Sequence, residues 1–351
     1  MLEFLVSSLC CNLNGKYIEY LNSSRHTFLM FTAILKSKTI ASFGFSYLLG
    51  IGMLIFTLFN LSENGSINNL LFSHWAFGWL EKTRGFLPYL GIILISATAV
   101  ISRLRIRETK QALGNRNLSM IAFVALIMVQ PNALVRPDIL LAMFLSTTAF
   151  LLLLSIYKQE SALSEIFHVG LLIGGASLFA GYSIFLIAVV LFSVLILRTG
   201  NWKEWAVLFL GLGMVSVFVM MFTIWHENPF LSFQRVIQSA WFGSIETAPI
   251  NLGHIVLIPV IFLSFGGMLN SLTAGNVAER NFTLANIGWL VGVLFMVLTL
   301  GLGWQNGIIL AAFPLSGFIA KTLENIKRWW IADLLLLLIL SAPFVKSLWH
   351  F

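Results

Sequence analysis

The sequence predicts an all-α fold, a polytopic transmembrane helix bundle of about eleven spans with the N-terminus cytoplasmic and the C-terminus outside. Three observations carry that expectation. The 351 residues are 58% hydrophobic and 10% charged, with a mean hydropathy of +0.91, which is more apolar surface than a soluble interior can hide. Apolar runs of about 17 to 22 residues, the length that crosses a bilayer core, follow one another with short polar gaps. The basic residues fall almost wholly into alternate gaps, as the positive-inside rule requires.

Residues 1–41 read as a cytoplasmic N-terminal segment, and 42–351 as a single transmembrane domain. The first thirteen residues are apolar but lack a basic n-region and a small-residue cleavage site, so no signal peptide is expected. Lys36 and Lys38 stand just before the first span, and Met30 is an alternative start that keeps both. The spans fall at about 42–60, 86–102, 118–135, 138–156, 166–181, 182–197, 205–225, 252–272, 286–303, 305–320 and 330–348. Gln130-Pro131-Asn132 and Arg136-Pro137-Asp138 break the third span from the fourth, because proline removes a donor and bars the helical conformation in the residue before it. Gly181-Tyr182 breaks the fifth from the sixth. A long kinked helix is the alternative at each break.

With this topology 16 of the 21 basic residues lie in inner gaps. The outer gaps hold Lys82, Arg84, Arg136, Arg235 and Lys346. The split collapses if any central span is dropped. Trp329, Trp330 and Trp349 bracket the last span as an interfacial aromatic belt does. The net charge of +7 therefore reads as topology and as affinity for anionic membrane lipids, not as nucleic-acid binding.

Polar chemistry collects in the outer loops 61–85 and 226–251 and at the corner between spans three and four. The first loop carries Glu63, His74, Glu81 and Arg84 among apolar residues spaced like a helix lying on the membrane. The second carries His226, Glu227, Arg235, Trp241 and Glu246, and the corner carries Arg136 and Asp138. Glu63 reads either as a solvated cap or as a catalytic carboxylate. Arg136 with Asp138 reads either as an ion pair at a helix start or as part of a binding site. The histidines lack metal-ligand spacing, no cofactor motif stands out, and Cys10 and Cys11 are adjacent, so neither a metal, a cofactor nor a disulfide framework is expected.

The segment Val135-Arg136-Pro137-Asp138-Ile139-Leu140-Leu141-Ala142-Met143-Phe144 resembles the Arg-Pro-Asp and aliphatic-helix segment of GT-C type glycosyltransferases, which use polyprenyl-phosphate-linked sugars. Gly170 to Phe179 is similar to their Gly-rich helix, and Tyr182 to Arg198 to the span after it. The resemblance implies that Glu63 is the general base and that Arg84, Arg136 and Arg235 hold the phosphate of a lipid-linked sugar, with Asp138, His226 and Glu227 completing the substrate site. The chain departs from that pattern. Glu63 is followed by Asn64 and Gly65 where a paired acid is usual, and Phe179-Ala180-Gly181-Tyr182 lacks the basic residue of the Gly-rich helix. With Gly114-Asn115-Arg116-Asn117 entering span three, the whole chain resembles more closely a family of bacterial multi-pass inner-membrane proteins without an established activity.

These readings give a non-enzymatic subunit of an envelope assembly, with other envelope proteins as partners, or an inactive GT-C relative. The alternative is a GT-C-like glycosyltransferase acting on a lipid-linked sugar at the outer face. A transporter ranks below both, since the span interiors are nearly free of charge and no inverted repeat is visible.

Overall fold

The computed structural model of the protein describes residues 40–59, 87–105, 115–130, 134, 136–157, 159, 161–198, 201–226, 252–299, 303–326 and 328–348. These residues form eleven α-helices and no strand. In order they are α1 (Ile40–Phe59), α2 (Leu87–Arg105), α3 (Arg116–Met128), α4 (Pro137–Ser155), α5 (Leu163–Phe179), α6 (Leu186–Leu197), α7 (Trp202–His226), α8 (Leu252–Ala274), α9 (Val277–Thr299), α10 (Trp304–Asn325) and α11 (Trp329–Leu348). A 3-10 turn, Gly181–Phe185, joins α5 to α6.

The helices correspond one for one to the expected spans, and the differences lie at their ends. α3 stops at Met128 instead of 135, because Pro131 denies Gln130 the helical conformation. α9 begins at Val277 instead of 286, since the Asn276 side chain accepts the Glu279 N–H at 2.8 Å and caps it. α10 runs past Lys321 to Asn325. Hydropathy stops at a charge, whereas a helix continues through one whose charge has a partner. Both expected breaks are true ends and not kinks. Ala180 sits at φ −137° and ψ 95°, which no α-helix contains.

Among the described residues five helices, α4, α7, α8, α9 and α10, are long and apolar enough to cross a membrane. α3 and α6, at 13 and 12 residues, reach only about 20 and 18 Å at 1.5 Å per residue.

Contacts between helices fix several of their relative directions. Asn117 Nδ2 donates to Ser42 Oγ at 3.0 Å and Val124 packs on Gly50, so α1 and α3 run parallel. His254 meets Trp304 while Lys321 bonds Ser271, so α8 and α10 run parallel. Phe150 against Trp289 and Tyr157 against Phe282 set α4 antiparallel to α9. Gly288 meets Phe192 and Gly292 meets Val189, which sets α6 antiparallel to α9. Phe167 meets Gly211 and Gly174 meets Val215, which sets α5 and α7 parallel. Gly91 of α2 abuts Leu134, and Gly253 of α8 abuts Ala342 of α11. Where these contacts relate two helices, odd- and even-numbered helices run in opposite directions. One end of the bundle, the upper, carries Gln130, Arg136, His254 and Trp304, and the lower carries Ser42, Asn117 and Lys321.

α10 lies at the centre and α7 at the edge: 83% of the α10 span is buried, against 17% of that of α7. The outward side chains are apolar, among them Phe209, Met214, Phe218 and Met221 of α7, Phe262 of α8 and Leu298 of α9. Such a perimeter suits hydrocarbon and not water. Exposed Trp202, Trp205 and Trp330 ring the lower end near Lys203 and Arg328, as interfacial tryptophans do.

Within the bundle Pro314 interrupts α10. A proline there cannot donate to the carbonyl of residue 310, and the Trp289 indole N–H donates to that Leu310 carbonyl instead, at 3.3 Å.

Candidate site at the upper end

Four helix ends meet at the top of the bundle. Pro137 occupies the first position of α4, where its missing N–H costs nothing and its fixed φ suits the helix. Arg136 is the cap residue before it, and Asp138 lies in the first turn, wholly buried. The amide dipoles of a helix N-terminus favour a carboxylate at that place.

The half-buried Arg136 extends across to α10, where Nη1 donates to Asn306 Oδ1 at 3.3 Å. Asn306 itself is buried in the first turn of α10. At the C-terminal end of α3, Gln130 Oε1 accepts from His254 Nε2 of α8 at 3.2 Å. The same imidazole stands edge-on to Trp304, ring centroids 4.3 Å apart at 74°. Trp304 and Asn306 are two residues apart on α10, so the two bonds belong to one polar layer joining α3, α4, α8 and α10. Its inventory is a guanidinium, a carboxyl, an imidazole and two amides. Such a set can hold an anionic group, or it can tie helices together where hydrocarbon gives them no other reason to associate.

Of the residues singled out in the sequence, Arg136 and Asp138 are in this layer. His226 is the last residue of α7, and its side chain lies outside the described residues. Glu63, Arg84, Glu227 and Arg235 also lie outside them. Gln130, Trp304 and Asn306 were not anticipated as site residues. Their signal was weak: a polar residue at the end of an apolar run reads as a loop until the opposite helix is known.

The lower end is built from ion pairs. Lys321 Nζ donates to Glu279 Oε1 at 2.9 Å and to Ser271 Oγ at 3.1 Å, locking α8, α9 and α10. Arg198 Nε lies 3.0 Å from Glu204 Oε1. Arg280 donates to the carbonyls of Gly275 and Thr273 at 2.9 and 3.1 Å, closing the α8 to α9 turn. Asp138, Glu204, Lys321 and Asp333 are the buried charged residues described, each in the terminal turns of its helix. Arg103, Arg105, Arg116, Arg198, Lys203, Arg280, Lys321 and Arg328 lie toward this end, against Arg136 and Lys346 toward the other.

The Gly-rich stretch of α5 has a packing role. Gly170 and Gly174 form a small-xxx-small step into which α7 settles, with Gly170 against the Leu208 backbone and Gly211 against that of Phe167. No family model, no curated protein and no solved structure matches the chain.

Proposed function

We infer that this chain is a multi-pass protein of the bacterial inner membrane, crossing it eleven times with its basic end in the cytoplasm, and that it serves as a non-catalytic subunit of an envelope assembly. The observation that carries this reading is the bond from Arg136 to Asn306. The guanidinium that an enzyme would aim at a substrate phosphate is engaged with another helix of the same chain. Gln130 and His254 are engaged in the same manner. A polar layer used for cohesion predicts that its loss acts through folding. In a strain that needs the protein, Arg136→Lys and Arg136→Gln should reduce growth in step with the amount of protein in the membrane, and raised expression should restore it. Normal protein levels with lost function, unrelieved by expression, would contradict the reading.

A second reading is favoured by the position of Arg136, half-buried beside buried Asp138 at the mouth between α3 and α4. Here the chain is a GT-C-like glycosyltransferase, and Arg136 with Arg84 and Arg235 holds the phosphate of a polyprenyl-linked sugar at the outer face. Glu63 is its general base. On this reading Glu63→Gln abolishes glycan transfer at unchanged protein level, and unchanged envelope glycans in that variant would exclude it.

A further inference from the structure

Two side chains of α9 stand apart from every interaction above. Thr283 and Asn286 are buried, 0% and 1% exposed. Neither the Thr283 hydroxyl nor either end of the Asn286 amide meets a hydrogen-bond partner among the described residues. Buried polar groups without a partner are strongly unfavourable, and in native proteins those lacking a protein partner are commonly met by water.

Their place in the bundle indicates where such water comes from. Glu279, Thr283 and Asn286 recur at i, i+4 and i+7, which puts them on one face of α9. Glu279 at its foot pairs with Lys321 and keeps 28% of its side chain exposed at the lower end. Asn286 lies seven residues further along, about 10 Å up the helix. The pairs Glu279–Lys321 below and Trp289–Leu310 above bracket the antiparallel register of α9 and α10. Thr283 and Asn286 therefore lie level with 314–317, the turn that starts at Pro314, where α10 has lost a backbone bond.

We propose that α9 and α10 part around Pro314 to admit water from the lower end, so that the Thr283 and Asn286 face is a hydrated pocket closed above by Trp289. The occupant is water and not a cation, because the Asn286 amide presents a donor as well as an acceptor. Moreover, no group of three metal-ligating His, Cys, Asp or Glu side chains forms among the described residues. The pocket is independent of whether the protein is a subunit or an enzyme.

Thiol accessibility tests this in sealed membranes, on a background with Cys10→Ser and Cys11→Ser. Thiolates, which form only where water reaches, attack methanethiosulfonates to give a mixed disulfide and release methanesulfinate, so Thr283→Cys and Asn286→Cys should react with 2-aminoethyl methanethiosulfonate at least about tenfold faster than Ala312→Cys. Ala312 is fully buried on α10, and Lys203→Cys at the exposed lower end supplies the upper limit. The wild-type protein gives a second measurement that needs no variant to fold. Radiolysis of water should oxidise Phe313, beside Pro314, faster than Phe123 of α3, although each is 2% exposed. Equal oxidation of Phe313 and Phe123 in the wild type, with Asn286→Cys reacting no faster than Ala312→Cys, would overturn the proposal, and the wild-type measurement decides if the two disagree.

Discussion

Replacing Gly170 by valine tests the packing logic of the bundle at its most exposed element. α7 settles on α5 through the Gly170 step, and a Cβ at Gly170 would run into the Leu208 carbonyl oxygen, with the Leu208 carbon at 3.2 Å and the Leu212 nitrogen at 3.3 Å. These are backbone atoms and cannot rotate away. The helices must part by roughly an ångström, which forfeits a quarter or more of each dispersion contact along the seam. Taking the seam as about 50 contacts of about 0.15 kcal/mol, comparable with one buried leucine, the loss is on the order of 2 kcal/mol. Valine regains a few tenths of a kcal/mol over glycine in helix propensity, which leaves the sign unchanged. Gly213→Val is the control, since nothing lies within 4 Å of a Cβ there. Thermal unfolding in detergent, followed by tryptophan fluorescence, should show Gly170→Val lowered by several degrees and Gly213→Val unchanged within error. Equal stability of the two variants would refute the seam, and with it the account of how α7 is held.

Trp289→Phe should cost about 1–3 kcal/mol by leaving the Leu310 carbonyl unmet, and much less in a Pro314→Ala background, where the restored N–H of residue 314 serves that carbonyl. A double-mutant cycle of unfolding free energies measures the coupling, and additivity would show the two residues to be independent. Glu279→Ala should destabilise more than Lys321→Met, because the first leaves a buried ammonium without its carboxylate and the second leaves a carboxylate with access to water. The order of their melting temperatures checks this, and the reverse order would mean that the lysine side chain reaches solvent in Glu279→Ala.

Element identity was legible because apolar runs of similar length and composition recur along the chain, and the eleven helices of the described residues appear where those runs are. The ends were less legible, for a physical reason that α9 and α10 share. A hydropathy reading ends at Glu279, Arg280 and Lys321, but Glu279 and Lys321 neutralise each other across the seam and Arg280 serves the carbonyls of Gly275 and Thr273. Pairing of that kind joins residues distant in sequence and has no local signature. The upper site was half legible: Arg136 and Asp138 stand out as charges in an apolar stretch, whereas Gln130, Trp304 and Asn306 acquire meaning only once α3, α8 and α10 are brought together. Gly170 and Gly174 were visible as a Gly-rich helix, but their use as a step for α7 depends on which helix comes to lie on them.

The proposed topology has eleven helices alternating across the membrane with the basic lower end inside. Reporter fusions after Lys110 and after Phe351 test it directly, since the two sites flank nine helices, α3 to α11. The account predicts cytoplasmic activity for the first and external activity for the second. A cytoplasmic reporter after Phe351 would remove one crossing and contradict it.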